Sequence, residues 1–384
     1  MRFVHTADWH LGRLFHGQHL TDDQAHVLNG FVDLVADVRP AAVLIAGDVY
    51  DRGVPPVEAV SLLNDVLDRI VRDLEVPVVL IAGNHDSPDR LAFGARLLGG
   101  HGLHIAGPPN GDPLMVPLSD DDGTVCVHAI PYADPVQTRA TLGDDSIHDH
   151  EAALRALVAR ARGRGPTGAR HILVTHAFVA GALTSDSERP LSVGGAGQVA
   201  AEVLDGFDYV ALGHLHRPQS AGGAGMRYAG SLLKYSFLEA EHDKSVTIID
   251  IDTSDRSRAP TVEQVSLAPL REVRVIEGHL RDLLNAATAD PANDDYICAR
   301  LLDRGALLDP IGQLRDVYPN VLAIDRGGLD VGDRRAAVAD PRAKSETEHF
   351  AAFFAYCTDD DLDQTERPAF ADVLGELEQQ WRES

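Results

Sequence analysis

From residue 1 to about 268, short runs of Val, Ile, Leu and Ala alternate with helix-patterned stretches, separated by loops rich in Gly, Pro and Asp. That rhythm predicts an α/β fold. Strands are expected at 2–6, 41–47, 77–83, 124–130, 171–176, 208–213, 226–229 and 245–252. Between them, Val60, Leu63, Leu67, Ile70 and Leu74 recur at three- and four-residue spacing. This predicts an amphipathic helix over 57–74 whose apolar face packs on a sheet or extends into a dimer contact.

The rhythm restarts after "VSLAPLREVRVIEG" (265–278) as strand 271–276, helix 279–288, strand 295–301, helix 309–318 and strand 320–325. A compact βαβαβ unit of this size reads as a second domain, which divides the chain into 1–268, 269–343 and a C-terminal segment 344–384. In that last segment Phe350, Phe353, Phe354 and Tyr356 crowd one helical pattern, and Phe370, Leu374, Leu377 and Trp381 stripe a second. A helical hairpin this small cannot bury both stripes alone, so it must pack on the parent chain or on a partner.

Composition narrows the class. The chain has 384 residues, 44% of them hydrophobic, enough for at least one large core. Its longest apolar runs, such as "VPVVLIAG" (76–83), fall far short of a membrane span. The first residues turn polar by His5 with no apolar leader, so a cytoplasmic protein is expected. Cys126, Cys298 and Cys357 are scattered and odd in number, which fits reduced thiols better than a disulfide frame or a zinc site. With 34 Lys and Arg against 59 Asp and Glu the formal charge is −25, so any polyanionic substrate must be held locally. Residues 345–384 alone hold 11 acidic side chains against 2 Arg, which reads as a solvated acidic face.

The chemistry lies at strand ends. Successive strands end in "HTADWHLG", "LIAGDVYDRG", "LIAGNHDS", "LVTHAF" and "ALGHLH". In open α/β sheets such carboxyl ends are where ligand crevices form. A lone Asp or His there is ordinarily a turn former or a cap. Five such clusters in order, each after an apolar strand, point to one site. Residues i and i+2 of an extended chain share a direction, so Asp8 with His10, and His214 with His216, can each supply two ligands from one strand end. Imidazole mixed with carboxylate and amide oxygen, without thiolate, suits Mn, Fe or Zn. Asp8, His10, Asp48, Asn84, His176, His214 and His216 are too many for one ion. They suffice for two that share a carboxylate, as in phosphoryl displacement. His85 is left beside the metals as a titratable group placed for general acid catalysis. Asp86 has no ligand role and is expected to orient His85 or the turn, while His5 reads as a satisfied core histidine.

The ordered set DWH, GDVYD, GNHD, TH and GHLH resembles the calcineurin-like metallophosphoesterase superfamily, and "HTADWHLGR", "AGDVYDRGVPP", "ALGHLHRPQ" and "YAGSLLKYSF" resemble its SbcD nuclease family. The resemblance covers the chain to about 268; beyond that only the layout matches. It implies a sandwich of two mixed β-sheets flanked by helices, with a smaller α+β capping domain and a C-terminal helical hairpin that docks an SbcC-type coiled-coil ATPase. It implies that Asp8, His10, Asp48 and His216 hold one Mn ion and that Asp48, Asn84, His176 and His214 hold the other, with Mg, Fe and Zn as alternatives. His85 would protonate the leaving 3′ oxygen. It further implies a homodimer formed through 57–74 and 88–99, within a heterotetramer that cleaves DNA as a double-strand exonuclease and a single-strand or hairpin endonuclease.

One feature pulls elsewhere: "GDVYDRG" also fits the GDxxDRG pattern of phosphoprotein phosphatases, in which Arg52 would bind phosphate, leaving the roles of Asp51 and Arg52 open. A phosphatase or small-molecule phosphodiesterase is therefore the alternative activity, and a non-catalytic adaptor is the reading that the full ligand set opposes.

Overall fold

The computed structural model describes residues 1–326 apart from 189–196, 224 and 304, together with 350–351, 354–355, 363, 366–370 and 373. The chain divides into two compact units, Met1–Val273 and Arg274–Ser384.

In the first unit the strands Ala42–Ile45 and Val78–Ile81 are buried at every position, which is why their sequences run apolar without alternation. They lie in a six-stranded sheet ordered Thr261–Ser266, Ser245–Asp250, Arg2–Thr6, Ala42–Ile45, Val78–Ile81, Leu103–Ala106. From Arg2–Thr6 to Leu103–Ala106 the strands run parallel, so their carboxyl ends share one edge. The second six-stranded sheet is ordered Gln219–Ser220, Met226–Tyr228, Tyr209–Gly213, Arg170–His176, Thr124–Ile130, Leu114–Ser119. Its central strands, too, are parallel, which brings His176 and Gly213 into register.

The sheets enclose a shared core. Phe3, Leu44, Val79 and Ile81 from the first sheet meet Val125, Val127, Ile172, Val174 and Tyr209 from the second. Each fully buried side chain of this kind contributes about 1.5–3 kcal/mol. His5 lies in the same layer, fully buried, with Nδ1 3.2 Å from the Tyr209 hydroxyl and Nε2 3.2 Å from the Leu212 carbonyl. It is the satisfied core histidine that was expected. The helix His150–Ala161 covers the outer face of the second sheet through Leu154, Leu157 and Val158.

Among first-unit strands of four or more described residues, three had no clear sequence signature. Leu114–Ser119 contains Pro117 at a sheet edge, where a missing ladder donor is tolerated. Thr261–Ser266 is an edge strand exposed at nearly every position, so it carries no apolar alternation. Leu103–Ala106 is a four-residue edge strand with a single fully buried position. The helix expected over 57–74 forms over Val57–Asp68 and continues as a π-turn through Asp73. Its buried stripe is Ala59, Leu63, Val66 and Ile70, offset from the expected one, and Val60 is left 45% exposed. Segment 88–99 is broken by Gly94, at φ 73°, into Pro88–Leu91 and Ala95–Leu98.

The second unit has a three-stranded sheet ordered Val273–Gly278, Tyr296–Leu301, Val321–Asp325, with helices Leu280–Ala286 and Pro310–Arg315. Leu283, Ile297, Ala299, Leu314 and Tyr318 form its own core. The hairpin expected over 344–384 falls largely outside the described residues; within the described part Phe350 stacks on Phe370 at 3.7 Å. Cys126 and Cys298 are buried free thiols, and Cys357 lies outside the described residues.

Burial pulls His5 from its ordinary 6.5 down to about 3. The unfolded chain therefore takes up a proton in this window that the folded chain refuses. This contribution to stability is complete above pH 6.5 and is lost as pH falls toward 3. A His5→Asn variant should be less stable at pH 7 yet lose less stability than the parent between pH 6.5 and 4, read by urea unfolding at each pH.

Candidate metal centre

The parallel strands of the first sheet and those of the second deliver their ends to one place, but not as extended chain. Asp8, His10, Asp48 and His214 have φ of 54°, 46°, 49° and 112°, four of the eight non-glycine positive-φ residues among those described. Asp and His tolerate that region better than most side chains, and the strain marks a site held in shape by its surroundings. The i, i+2 reading names residues that do converge, but extended chain is not what aims them. Left-handed turns aim them, and His214 and His216 consequently face different groups.

Three groups of ligand-competent atoms result, each within 4.8 Å: Asp8, His10 and His216; Asp48, His176 and His214, both groups fully buried; and His10, Asp51 and His85, which shares His10 with the first and is less buried. In the first, His10 Nε2 stands 3.0 Å from His216 Nε2. In the second, Asn84 Oδ1 lies 2.9 Å from His176 Nε2 and 3.1 Å from His214 Nδ1. Asp48 joins them: its Oδ2 is 3.7 Å from His10 Nε2 and 3.5 Å from His176 Nε2. The structure brings together all seven residues named from the strand ends.

His85 sits beside this cluster, its Nε2 3.9 Å from Asp48 Oδ2 and its Nδ1 2.8 Å from the Asp51 carbonyl. Its backbone N–H donates to Asp48 Oδ1 at 2.9 Å. The Asp51 carboxylate lies 3.5 Å from His10 Nδ1 and 3.3 Å from Arg13 Nη1. Asp86 accepts backbone N–H bonds from Gly83, Val49 and Tyr50 at 2.9, 3.1 and 2.9 Å. Of the two roles expected for it, Asp86 performs the turn-holding one, tying the Asp48 loop to the Asn84 loop. Arg52 is exposed and has no hydrogen-bond or ion-pair partner among the described residues.

Close approach of these loops depends on two glycines. A Cβ on Gly83 would fall 2.1 Å from Asp48 Oδ1, and one on Gly213 would fall 1.9 Å from the Ala46 carbonyl. Any larger residue at either position displaces a site loop.

The electrostatics match a site built for cations. Burial, with the neighbouring Asp48 charge, pushes Asp8 well above the usual carboxylate range. Burial acts on Asp48 in the same direction, but the His176, His10 and His85 imidazoles outweigh it and hold Asp48 well below that range. Burial keeps His214 and His216 neutral, the form in which imidazole ligates metal. His176 is lowered by burial but raised more by Asp48 and Asp8, ending at about 9, so a cation there must displace a proton. His10 Nδ1 is buried with the Asp51 carboxylate, 3.5 Å away, as its ion-pair partner. Nitrogen and hard oxygen donors so arranged fit a pair of divalent metal ions.

Three contributors were not foreseen. Arg13 pairs with Asp51 and stacks its guanidinium 4.8 Å from the Tyr235 ring. Gln24 Nε2 donates to the His10 carbonyl at 2.8 Å, and the Tyr235 hydroxyl donates to the Trp9 carbonyl at 2.5 Å. Arg13 and Tyr235 lie in quoted motifs, but nothing in the sequence tells that they meet. Gln24 lies on the helix Thr21–Val38 with no local signal at all.

An Asp86→Asn variant places an N–H against one of the three backbone donors. Its expected cost is about 1–3 kcal/mol in chemical unfolding, with slowed hydrolysis and metal stoichiometry unchanged.

Comparison with known proteins places this geometry. The calcineurin-like phosphoesterase family model matches residues 1–218. Residues 269–358 match the SbcD_C model, the type 5 capsule protein repressor C-terminal domain. Similar solved structures include the calcineurin-like phosphoesterase YfkN from Bacillus subtilis, 14% identical over 69% of this chain and 90% of that one, with a TM-score of 0.39. TT1561 from Thermus thermophilus is 15% identical over 70% of this chain and 99% of that one, with a TM-score of 0.38. With more than half its length matched, the chain belongs to the calcineurin-like phosphoesterases, metal-dependent hydrolases with a dinuclear site, and its C-terminal domain marks it as of the SbcD type.

Proposed function

We propose that the chain is a Mn-dependent DNA nuclease, cutting duplex ends as an exonuclease and single strands or hairpins as an endonuclease. It acts in the cytoplasm with an SbcC-type ATPase in DNA repair, recombination and replication-associated end processing. The observation that carries this reading is the pair of fully buried ligand groups joined by Asp48, with His85 beside them in a less buried group with His10 and Asp51, its Nδ1 taken by the Asp51 carbonyl. Asp8, His10, Asp48 and His216 would hold one ion, and Asp48, Asn84, His176 and His214 the other. Bound there, two such cations supply the Lewis acidity that phosphodiester hydrolysis needs.

His85 is the general acid in this account. The Asp51 carbonyl accepts from Nδ1–H, fixing the ring and leaving Nε2 to carry a proton to the departing 3′ oxygen. The net charge of −25 requires that the metals grip the scissile phosphate and that the ATPase supply most of the remaining DNA affinity. Segment 344–384 is the proposed docking site for that ATPase. No helix among the described residues is long and apolar enough to cross a membrane.

A homodimer completes the proposal. Val57, Val60, Phe93 and Leu97 are 76%, 45%, 87% and 79% exposed. They lie on the segments 57–74 and 88–99, and Val60 and Phe93 line a groove of about 1080 Å³. An apolar surface of that kind calls for a partner. In the alternative reading, a phosphatase or small-molecule phosphodiesterase, Arg52 would bind phosphate; Arg52 is exposed and without a partner among the described residues.

With Mn²⁺, the purified protein should degrade linear duplex DNA, and His85→Ala should lower the rate about 10²–10⁴-fold while still binding two metals. Undiminished cleavage by His85→Ala would contradict the acid role. Rapid hydrolysis of phosphoproteins or cyclic nucleotides without DNA cleavage would replace the nuclease reading.

A further inference from the structure

His216 is gripped from a direction that its own strand does not explain. Its Nε2 faces His10 Nε2 at 3.0 Å, and its other ring nitrogen, Nδ1, lies 2.6 Å from Ser187 Oγ. Ser187 Oγ in turn hydrogen-bonds Glu239 Oε1. Glu239 is fully buried, and its Oε2 takes Lys244 Nζ at 2.5 Å. Lys244 Nζ also reaches the His216 carbonyl at 2.8 Å, while the His216 backbone N–H donates to Glu188 Oε1 at 2.7 Å. His216 is thus fixed at its backbone N–H, its backbone carbonyl and Nδ1 by residues from two separate parts of the chain, 187–188 and 239–244.

The direction of each bond follows from the donors available. Lys244 has only N–H to offer, so Glu239 is a pure acceptor, and the Ser187 hydroxyl must donate to it. That leaves the oxygen of Ser187 to accept, and His216 must then carry its proton on Nδ1. The lone pair on Nε2 is directed at His10, where the first group of ligands converges. A buried charge pair is costly to keep unless its geometry is used, and here it sets a tautomer.

We propose that Ser187 and Glu239, anchored by Lys244, are positioning residues for His216, and that the loop carrying Ser185, Ser187 and Glu188 completes the half of the site formed by Asp8, His10 and His216. The loop is itself tied to the opposite side: Arg13 Nη2 donates to the Ser187 carbonyl at 2.9 Å, and Arg13 Nη1 pairs with Asp51, which backs His10 Nδ1. Both histidines of that half therefore have a carboxylate oxygen 3.5 Å from Nδ1, Asp51 at His10 and Glu239 at His216, and at His216 the Ser187 hydroxyl bridges the gap. Outer partners of this sort commonly change metal affinity 10–100-fold. The inference rests on His216 being a metal ligand, as proposed above, but not on the identity of the substrate.

The test is Mn²⁺ titration of the full, metal-stripped chain by calorimetry, with electron paramagnetic resonance to report the coupled metal pair. Ser187→Ala and Glu239→Gln should each weaken one of two equivalents about 10–100-fold, leave the other unchanged and lose the coupled signal at stoichiometric metal. Ser187→Thr, which keeps the hydroxyl, should behave as the parent. Ser187 is only half-buried, so Ser187→Ala tests the claim even if Glu239→Gln does not fold. Unchanged binding of both equivalents by Ser187→Ala would overturn the positioning role, as would an equal weakening of both. A parent chain that binds two ions and cleaves no DNA would defeat the nuclease reading alone; one that binds fewer than two would defeat the metal assignment and this inference together.

Discussion

A carboxylate kept almost completely out of water is the constraint on which the first unit depends. Asp48 is 1% exposed and lies within 4 Å of the imidazoles of His10, His85 and His176. An isolated charge there would be expelled or neutralised. It stays because a main-chain N–H from His85 and three rings from three different strand ends surround it. Every one of those rings has to arrive at the same depth, and that requirement explains features of the fold that packing alone does not. The strand ends turn left-handed at ligand positions, and glycine stands where two loops would otherwise collide.

The supports extend outward in layers. Asp86 collects three backbone donors and so locks the loop holding Asp48 to the loop holding Asn84. Asp8 does the corresponding task across the two sheets, its carboxylate accepting the His214 backbone N–H at 3.0 and 3.1 Å. The sandwich core beneath gives these loops a stiff base, since Ala46, Leu44 and Ile81 share one buried cluster with Val174 and Ala211 from the other sheet. Burial therefore contributes to function as well as to stability: it excludes water from the carboxylates and makes each hydrogen bond to them count for more.

The parts of this arrangement that were legible in the sequence share one property, locality. Apolar runs such as "AAVLIAG" announce buried strands because both faces are covered, and the Asp, Asn and His residues that follow are contiguous with them. The edge strand Thr261–Ser266 escaped notice because its side chains face solvent and its identity as a strand comes only from pairing with Ser245–Asp250. The helix over 57–74 was legible in type but not in rotation: five apolar residues fit a stripe, and the sheet selects Leu63, Val66 and Ile70 while Val60 stays outside. Ser187, Glu239 and Gln24 had no signal whatever. Their contacts span 29, 52 and 14 residues of chain, and a serine or glutamate in a polar stretch looks the same whether or not it meets a buried imidazole.

Two ions sharing Asp48 is the claim from which the proposed chemistry follows, and anomalous X-ray diffraction at the manganese edge from crystals grown with Mn²⁺ tests it most directly. The account predicts two anomalous peaks per chain on either side of Asp48, one bounded by Asp8, His10 and His216 and the other by Asn84, His176 and His214. A single peak, or peaks away from Asp48, would contradict it.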